Sequence, residues 1–121
     1  MPAAATVNLF GYYVLFTGIG LLLAPALVLG LLGMTAPADI WVRVLGALAI
    51  VVGYYYIHCA MRNDRHFFQA SVLGRLGFAA LCVLLVAAFG APWQLLLFGV
   101  IDVAGALWTR HALAHGDDVP R

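Results

Sequence analysis

Charged residues are scarce in this chain of 121 residues: only 9% are charged, and lysine and glutamate do not occur at all. A soluble domain is about half apolar and about a quarter charged, whereas 65% of this chain is hydrophobic. The composition therefore predicts an integral membrane protein. The formal net charge is only +1, which excludes nucleic-acid binding. Arginine is used in place of lysine and aspartate in place of glutamate throughout, which fits a GC-rich bacterial genome.

Cysteines and recognised catalytic motifs are also few. Cys59 and Cys82 are far apart in the chain, and neither belongs to a CxxC pair. This spacing offers no disulfide or zinc framework and predicts two small buried apolar side chains. The sequence contains no GxSxG, P-loop, GxGxxG or HExxH motif. No recognised catalytic class and no cofactor is therefore predicted.

Long apolar runs make up most of the chain. A helix needs about 20 apolar residues to cross the hydrocarbon core of a bilayer, and the sequence has four such runs, at 9–32, 40–61, 71–90 and 92–109. A membrane barrel is excluded because barrel strands alternate in hydrophobicity with period two, which these runs do not. We therefore predict an all-α fold in which residues 1–121 form a single integral membrane domain, a four-transmembrane-helix bundle.

The positions of arginine predict how the chain crosses the membrane. Arg62 and Arg65 lie in the loop at 62–70, with Arg75 just beyond, whereas the loop at 33–39 has no basic residue. Short cytoplasmic loops are enriched in basic residues, so the 62–70 loop is predicted to be cytoplasmic. Four crossings then place both termini in the cytoplasm. The expected location is the bacterial inner (plasma) membrane, with multi-pass topology.

Proline and glycine predict local features of the spans. The A-x-A sequence at 36–38 resembles a signal-peptidase site, but the run before it is longer than the roughly 7–15 residues of a signal peptide's apolar segment. We therefore expect that run to remain as the first span. Pro25 lies inside it and lacks a backbone N–H, which predicts a kink. Gly18, Gly46 and Gly53 predict close packing between helices.

Ionisable residues within the spans are the candidate functional groups, because a charge in lipid costs about 3 kcal/mol on insertion scales. Asp102 lies near the middle of the fourth span and shares a helix face with Gly99, Gly105 and Thr109. Such small-residue faces pack against other helices, so Asp102 is predicted to point into the protein. Arg75, one turn inside the third span, is long enough to reach Asp102 across the antiparallel pair of helices. The predicted partner of Asp102 is therefore Arg75, with Arg43 or a tyrosine hydroxyl as alternatives.

The second span supplies three further candidates. Arg43 lies near its outer end, and its guanidinium is predicted either to reach outward to the headgroups or to lean inward. Tyr54 shares the face of Arg43, and His58 lies close to that face near the inner end. His58 is interpreted as an interfacial histidine, with a proton relay or an axial haem ligand as alternatives. The predicted ligand-binding residues are Arg43, Tyr54, His58, Arg75 and Asp102.

His111 and His115 are four residues apart at the start of the C-terminal tail. This pair would bind a metal only if the fourth helix continued past Thr109 and a third ligand were present. A solvated tail is the simpler interpretation, and no metal site is predicted.

Four sequence elements follow one another along the chain: LLLAPALVLGLLGM, VRVLGALAIVVG, GRLGF and an aspartate in the fourth span. In this layout the chain resembles small bacterial four-helix membrane proteins of the DoxX-like and BphX-like families. The resemblance rests on Pro25, Gly33, Arg43, Gly46, Arg75 and Asp102. It implies a compact four-helix bundle, and sometimes a genetic association with oxidative or aromatic degradation, but no catalytic residue set. Small multidrug exporters are similar in size, but their essential first-helix glutamate has no counterpart here.

The predicted site favours a binding or transport module as the leading function. A small lipophilic or anionic ligand would enter between the helices, where Arg43 and Arg75 supply positive charge. Tyrosines would line the walls of this site: Tyr12, Tyr13, Tyr54 and Tyr55. The expected partners are the lipid bilayer, this ligand and further copies of the chain in a homo-oligomer, since four helices enclose little interior.

Two other classes of function remain open from the sequence. One is an intramembrane isomerase or hydrolase of an apolar substrate, in which Asp102 is the acid or base and Arg75 or a tyrosine is its electrophilic partner. The other is an accessory subunit of a membrane complex, in which the buried charges only fix the register of the helices.

Overall fold

The protein is all-helical in the computed structural model, which describes residues 2–34 and 39–115. Five helices follow in order: α1 Ala3–Leu23, α2 Pro25–Leu31, α3 Ile40–Met61, α4 Arg65–Phe89 and α5 Leu95–Ala114. Every one except the seven-residue α2 is long and apolar enough to cross a membrane. The all-α prediction with four potential spans is therefore confirmed. Part of the predicted 33–39 loop and the end of the tail, with Arg121, lie outside the described residues.

Helix α4 begins at Arg65, one and a half turns before the apolar run predicted at 71–90. The cause is Asp64, whose side chain accepts a hydrogen bond of 3.1 Å from the backbone N–H of Phe67. A carboxylate at this position satisfies one of the backbone donors that every helix leaves unpaired at its start. Hydropathy locates the apolar part of α4, whereas its beginning is set by this cap.

The first predicted run is divided into α1 and α2 by a break at Ala24. Pro25 has no N–H with which to continue the preceding helix, and it begins α2. The last carbonyl groups of α1 therefore lose their helical partners. Arg43 of α3 donates a hydrogen bond to one of them, the carbonyl of Leu22. The kink predicted at Pro25 is thus an interruption of the helix, and one of the carbonyl groups that it leaves without a helical partner is capped by Arg43.

Helix α5 lies closer to the C-terminus than the run predicted at 92–109. Pro92 does not open the helix: the carbonyls of residues 92–94 accept hydrogen bonds from N–H groups three residues further on, in a turn that leads into Leu95. At its other end, α5 continues to Ala114. A helix requires continuous backbone hydrogen bonding rather than continuous hydrophobicity. Hydropathy therefore does not predict the polar last turn of α5.

The helices form two antiparallel hairpins, in which α1 packs along α3 and α4 packs along α5. Glycine allows the backbones of α1 and α3 to touch. A Cβ atom on Gly46 would lie only 2.7 Å from the carbonyl oxygen of Gly18, and one on Gly53 would lie 2.8 Å from the backbone nitrogen of Leu15. The close helix packing expected from these glycines occurs between α1 and α3.

The hydrophobic core lies at one end of the molecule, where α1 and α4 begin and α3 and α5 end. We call this the core end and the opposite one the far end. The core is formed by Ala3, Val7, Phe10, Tyr56, Ala60, Phe68 and Ala112. The hairpins are joined mainly through α1, which contacts α5 and, less extensively, α4. Toward the far end, large apolar side chains such as Leu31 and Phe89 are exposed, which is typical of surfaces that contact lipid or another protein.

Candidate functional site

Arg75 of α4 lies where the two hairpins meet. Its side chain is only 2% exposed, and it is the only charged residue in the described part of the chain that is fully buried. Moving a cation out of water costs several kcal/mol unless its donors find acceptors. The contacts of this guanidinium therefore define the candidate site.

Three of the five guanidinium N–H groups of Arg75 have hydrogen-bond partners. The Nε–H donates to the backbone carbonyl of Ser71 at 3.2 Å. Nη2 donates to the Ser71 hydroxyl at 3.0 Å and to the Thr109 hydroxyl of α5 at 2.9 Å. The bonds to Ser71 lie within α4, and the bond to Thr109 connects the charge on α4 to a neutral hydroxyl group on α5.

A chain of hydroxyl groups continues from Thr109 to α1. The Oγ1 atoms of Thr109 and Thr6 are 2.7 Å apart, and Thr6 in turn donates to the backbone carbonyl of Ala3 at 2.7 Å. Since the Thr6 proton is used in that second bond, Thr109 donates to Thr6 and accepts from Arg75. The chain is fully satisfied and links the three helices at the core end.

The Nη1 atom of Arg75 is buried and has no hydrogen-bond partner. Aromatic rings lie around it instead: the guanidinium carbon is 4.7 Å from the centre of the Phe10 ring and 5.7 Å from that of Tyr56. Cation–π contacts offset part of the desolvation cost, but a ring face accepts no directed hydrogen bond of ordinary strength. Gly105 makes room for this arrangement, because a Cβ atom there would lie 3.2 Å from Nη1.

Asp102 does not form the predicted direct pair with Arg75. No nitrogen of the guanidinium donates to Asp102, although the two side chains still interact electrostatically. The reason is direction, since side chains lean toward the beginning of their own helix. In antiparallel helices Arg75 therefore leans toward the core end and Asp102 toward the far end. Asp102 is half-buried, one turn along α5 from Gly105.

The other predicted site residues lie away from Arg75. Arg43 is exposed and caps the carbonyl of Leu22 near the far end. Tyr54 and His58 are exposed and stacked on each other, with ring centres 5.7 Å apart. Tyr54 and Tyr55 line a shallow apolar groove on the outside of the α1–α3 hairpin. The structure therefore groups Arg75 with Asp102 and leaves the remaining three predicted residues outside that group.

Two aromatic residues that contact Arg75, Phe10 and Tyr56, are not among the predicted site residues. Phe10 is an apolar residue within an apolar run and carries no signal of its own. Tyr56 does carry one, because it lies one turn from Gly53, on the face of α3 that contacts α1. Of the predicted wall tyrosines, Tyr13 packs against Phe10 at 5.4 Å between ring centres.

The histidine pair lies on a helix, because α5 continues past Thr109. The rings of His111 and His115 are 4.0 Å apart, and Nδ1 of His115 is 2.9 Å from the carbonyl oxygen of His111. Over residues 2–34 and 39–115, no group of three histidine, cysteine, aspartate or glutamate residues could hold a metal. Cys59 and Cys82, the first half-buried and the second buried, are not disulfide-bonded.

No protein-family model, curated protein or solved structure matches this chain. The resemblance to DoxX-like and BphX-like proteins is therefore still an expectation from the sequence, and arguments about function rest on the geometry around Arg75.

That geometry combines a fixed cation, two unused N–H donors and apolar walls. A guanidinium keeps its charge when it is buried, and its planar shape positions the donors of Nη1 without further ordering. An oxygen atom that reached Nη1 would form a charge-assisted hydrogen bond, which is about twice as strong as a neutral one. The arrangement is thus suited to recognise an oxygen acceptor on an otherwise apolar molecule.

Proposed function

We propose that the protein is a multi-pass protein of the bacterial inner membrane that binds a small lipophilic molecule at Arg75. The molecule would present a carboxylate, phenolate or carbonyl oxygen to Nη1, with its apolar part against the aromatic side chains. The observation that carries this proposal is the buried Nη1 atom without a hydrogen-bond partner. Buried polar groups are almost always satisfied in folded proteins, so an exception suggests a role other than stability.

Stability alone does not account for the arginine. Apolar residues of similar volume often replace buried ionic groups with no loss of stability or with a gain. The hydroxyl groups around Arg75 would also remain satisfied without it, because Ser71 donates to the carbonyl of Phe68 at 2.8 Å and Thr109 contacts Thr6. An arginine that its surroundings do not require is best explained by a partner that binds to it.

The placement of Asp102 relative to Arg75 also supports this proposal. It is half-buried and is not hydrogen-bonded to Arg75, so it balances the charge of the guanidinium from a distance and leaves Nη1 unpaired. We propose that the ligand approaches between α1 and α5 at the level of Asp102 and Tyr13. The intramembrane-enzyme and accessory-subunit interpretations would use the same two charges, and a ligand-binding measurement separates them from this one.

Decanoate is a suitable probe, because it joins a carboxylate to an apolar chain. We expect decanoate to raise the thermal unfolding temperature of the detergent-solubilised protein, and Arg75→Met to weaken its apparent affinity about tenfold or more, as for the loss of a hydrogen bond to a charged group. Arg62→Gln is the matched control, since it removes an exposed arginine at the end of α3. Decyltrimethylammonium, which has the opposite charge, should give no shift.

A pair of glycine variants tests the place of binding without removing the charge. Gly105→Ala adds a methyl group 3.2 Å from Nη1 and 3.0 Å from Phe10, whereas Gly99→Ala on the same helix meets only ordinary contacts of 3.6 Å and more. Decanoate binding should be weaker in Gly105→Ala and unchanged in Gly99→Ala. Equal binding by the wild type, Arg75→Met and Gly105→Ala would refute the proposed site.

The proposed orientation places the core end in the cytoplasm. It is supported by Arg62 after the end of α3, by Arg65 at the start of α4 and by Arg110, which all belong to the core end. In a variant without native cysteines, we expect a membrane-impermeant thiol reagent to label Trp93→Cys in intact cells. His66→Cys should react only after the membrane is opened, and its labelling from outside would reverse the topology. Both positions are exposed.

A further inference from the structure

We infer that a groove between α4 and α5 at the core end binds the headgroup of an anionic phospholipid. The groove is open to the surface, has a volume of about 340 Å³ and is lined by Arg65, Gln69, Val72, Arg110, Leu113 and Ala114. It is separate from the site at Arg75, with which it shares no residue.

The two arginines reach the groove from different helices. Arg65 is the first residue of α4, and Arg110 belongs to the last turns of α5. The antiparallel contact between Arg75 and Thr109 fixes the register of these helices, so Arg110 lies beside the first two turns of α4. The groove thus has a guanidinium on each wall, and Gln69 adds an amide on the α4 side. Guanidinium groups bind phosphate oxygens with paired hydrogen bonds.

The rest of the lining favours a lipid over a soluble anion. Val72, Leu113 and Ala114 make the groove apolar as well as basic, which suits the glycerol backbone and the first carbons of an acyl chain. The groove also lies where two potential spans end. Basic pockets between membrane helices on the cytoplasmic side recognise anionic headgroups in this way. The inference rests on the proposed membrane insertion, and it is independent of any ligand at Arg75.

Native mass spectrometry of the detergent-solubilised chain tests this inference. The protein is incubated with equal amounts of phosphatidylglycerol and phosphatidylcholine that carry the same acyl chains. We expect selective retention of phosphatidylglycerol by the wild type. Arg110→Gln should weaken this retention about fivefold, the contribution of one arginine near an anionic lipid surface. The double variant Arg65→Gln/Arg110→Gln should weaken it further. Arg62→Gln should retain phosphatidylglycerol like the wild type.

Four outcomes would overturn the inference. Equal retention of the two lipids by the wild type would show that charge is not recognised. Unchanged selectivity in Arg110→Gln and in the double variant would place the lipid elsewhere. Displacement of phosphatidylglycerol by millimolar inorganic phosphate would identify a soluble anion as the ligand. A chain that did not enter micelles or bilayers would instead refute the proposed membrane insertion, and the lipid site with it.

Discussion

Gly46→Val is expected to lower the free energy of unfolding by about 3 kcal/mol, the upper part of the range for overpacked sites. A Cβ atom at this position would lie 2.6 Å from the backbone nitrogen of Leu22 and 2.7 Å from the carbonyl oxygen of Gly18. Both are backbone atoms, which cannot rotate away as the end of a side chain can. Relief therefore requires α1 and α3 to separate along the whole contact. Unfolding by sodium dodecyl sulfate in mixed micelles, followed by circular dichroism, measures this effect.

Gly74→Ala is the matched control for Gly46→Val. Gly74 is also a helical glycine, but a Cβ atom there would have no neighbour within 4 Å. Alanine has a higher helix propensity than glycine, so this variant should be unchanged or stabilised by up to about 1 kcal/mol. If both variants lost the same stability, the loss would follow from replacing any helical glycine, and the α1–α3 contact at Gly46 would not be its cause.

Thr109→Val should cost about 3 kcal/mol in the wild type, because it removes an acceptor from a buried charge. In the Arg75→Met background the same change removes only the contact with Thr6, and we expect a cost of about 1 kcal/mol. The coupling energy between the two positions is then about 2 kcal/mol, within the range for residues in one hydrogen-bonded network. Arg75→Met alone should be neutral or slightly stabilising.

The four unfolding free energies of this double-mutant cycle are obtained under the same micelle conditions as those for Gly46→Val. Additive effects would show that Arg75 and Thr109 do not share a network. A loss of several kcal/mol in Arg75→Met alone would show that the arginine is a structural group, as the accessory-subunit interpretation requires.

The sequence predicts α3 best because two independent signals coincide there. Its apolar run ends where polar residues begin, and Asp39 caps its start by accepting hydrogen bonds from the N–H groups of Trp41 and Val42. The structure accordingly has α3 at Ile40–Met61, the same bounds as the predicted run. In α4 these two signals are separated, because the cap at Asp64 precedes the apolar run. Hydropathy alone then gives the wrong start.

The sequence predicts that Arg75 belongs to the candidate site, but it does not predict which groups Arg75 contacts. Helical periodicity and the cost of burying charge identify Arg75 as a candidate, and its side chain is buried in the structure. They do not tell which acceptor it reaches, because that depends on the direction in which each side chain leaves its helix. Thr109 lies on the side toward which Arg75 leans, whereas Asp102 leans away. The role of Thr6 depends on the register between hairpins, which the sequence does not encode locally.

We propose above all that Nη1 of Arg75 is held without a protein partner so that it can bind a ligand oxygen. Nuclear magnetic resonance of the protein with nitrogen-15-labelled arginine guanidinium groups tests this directly, with the Arg75 signals identified by their loss in Arg75→Met. We expect decanoate to shift the Nη1 signal of Arg75 and to leave the signals of Arg43 and Arg62 in place. An Nη1 signal that stays unchanged at saturating decanoate would contradict the claim.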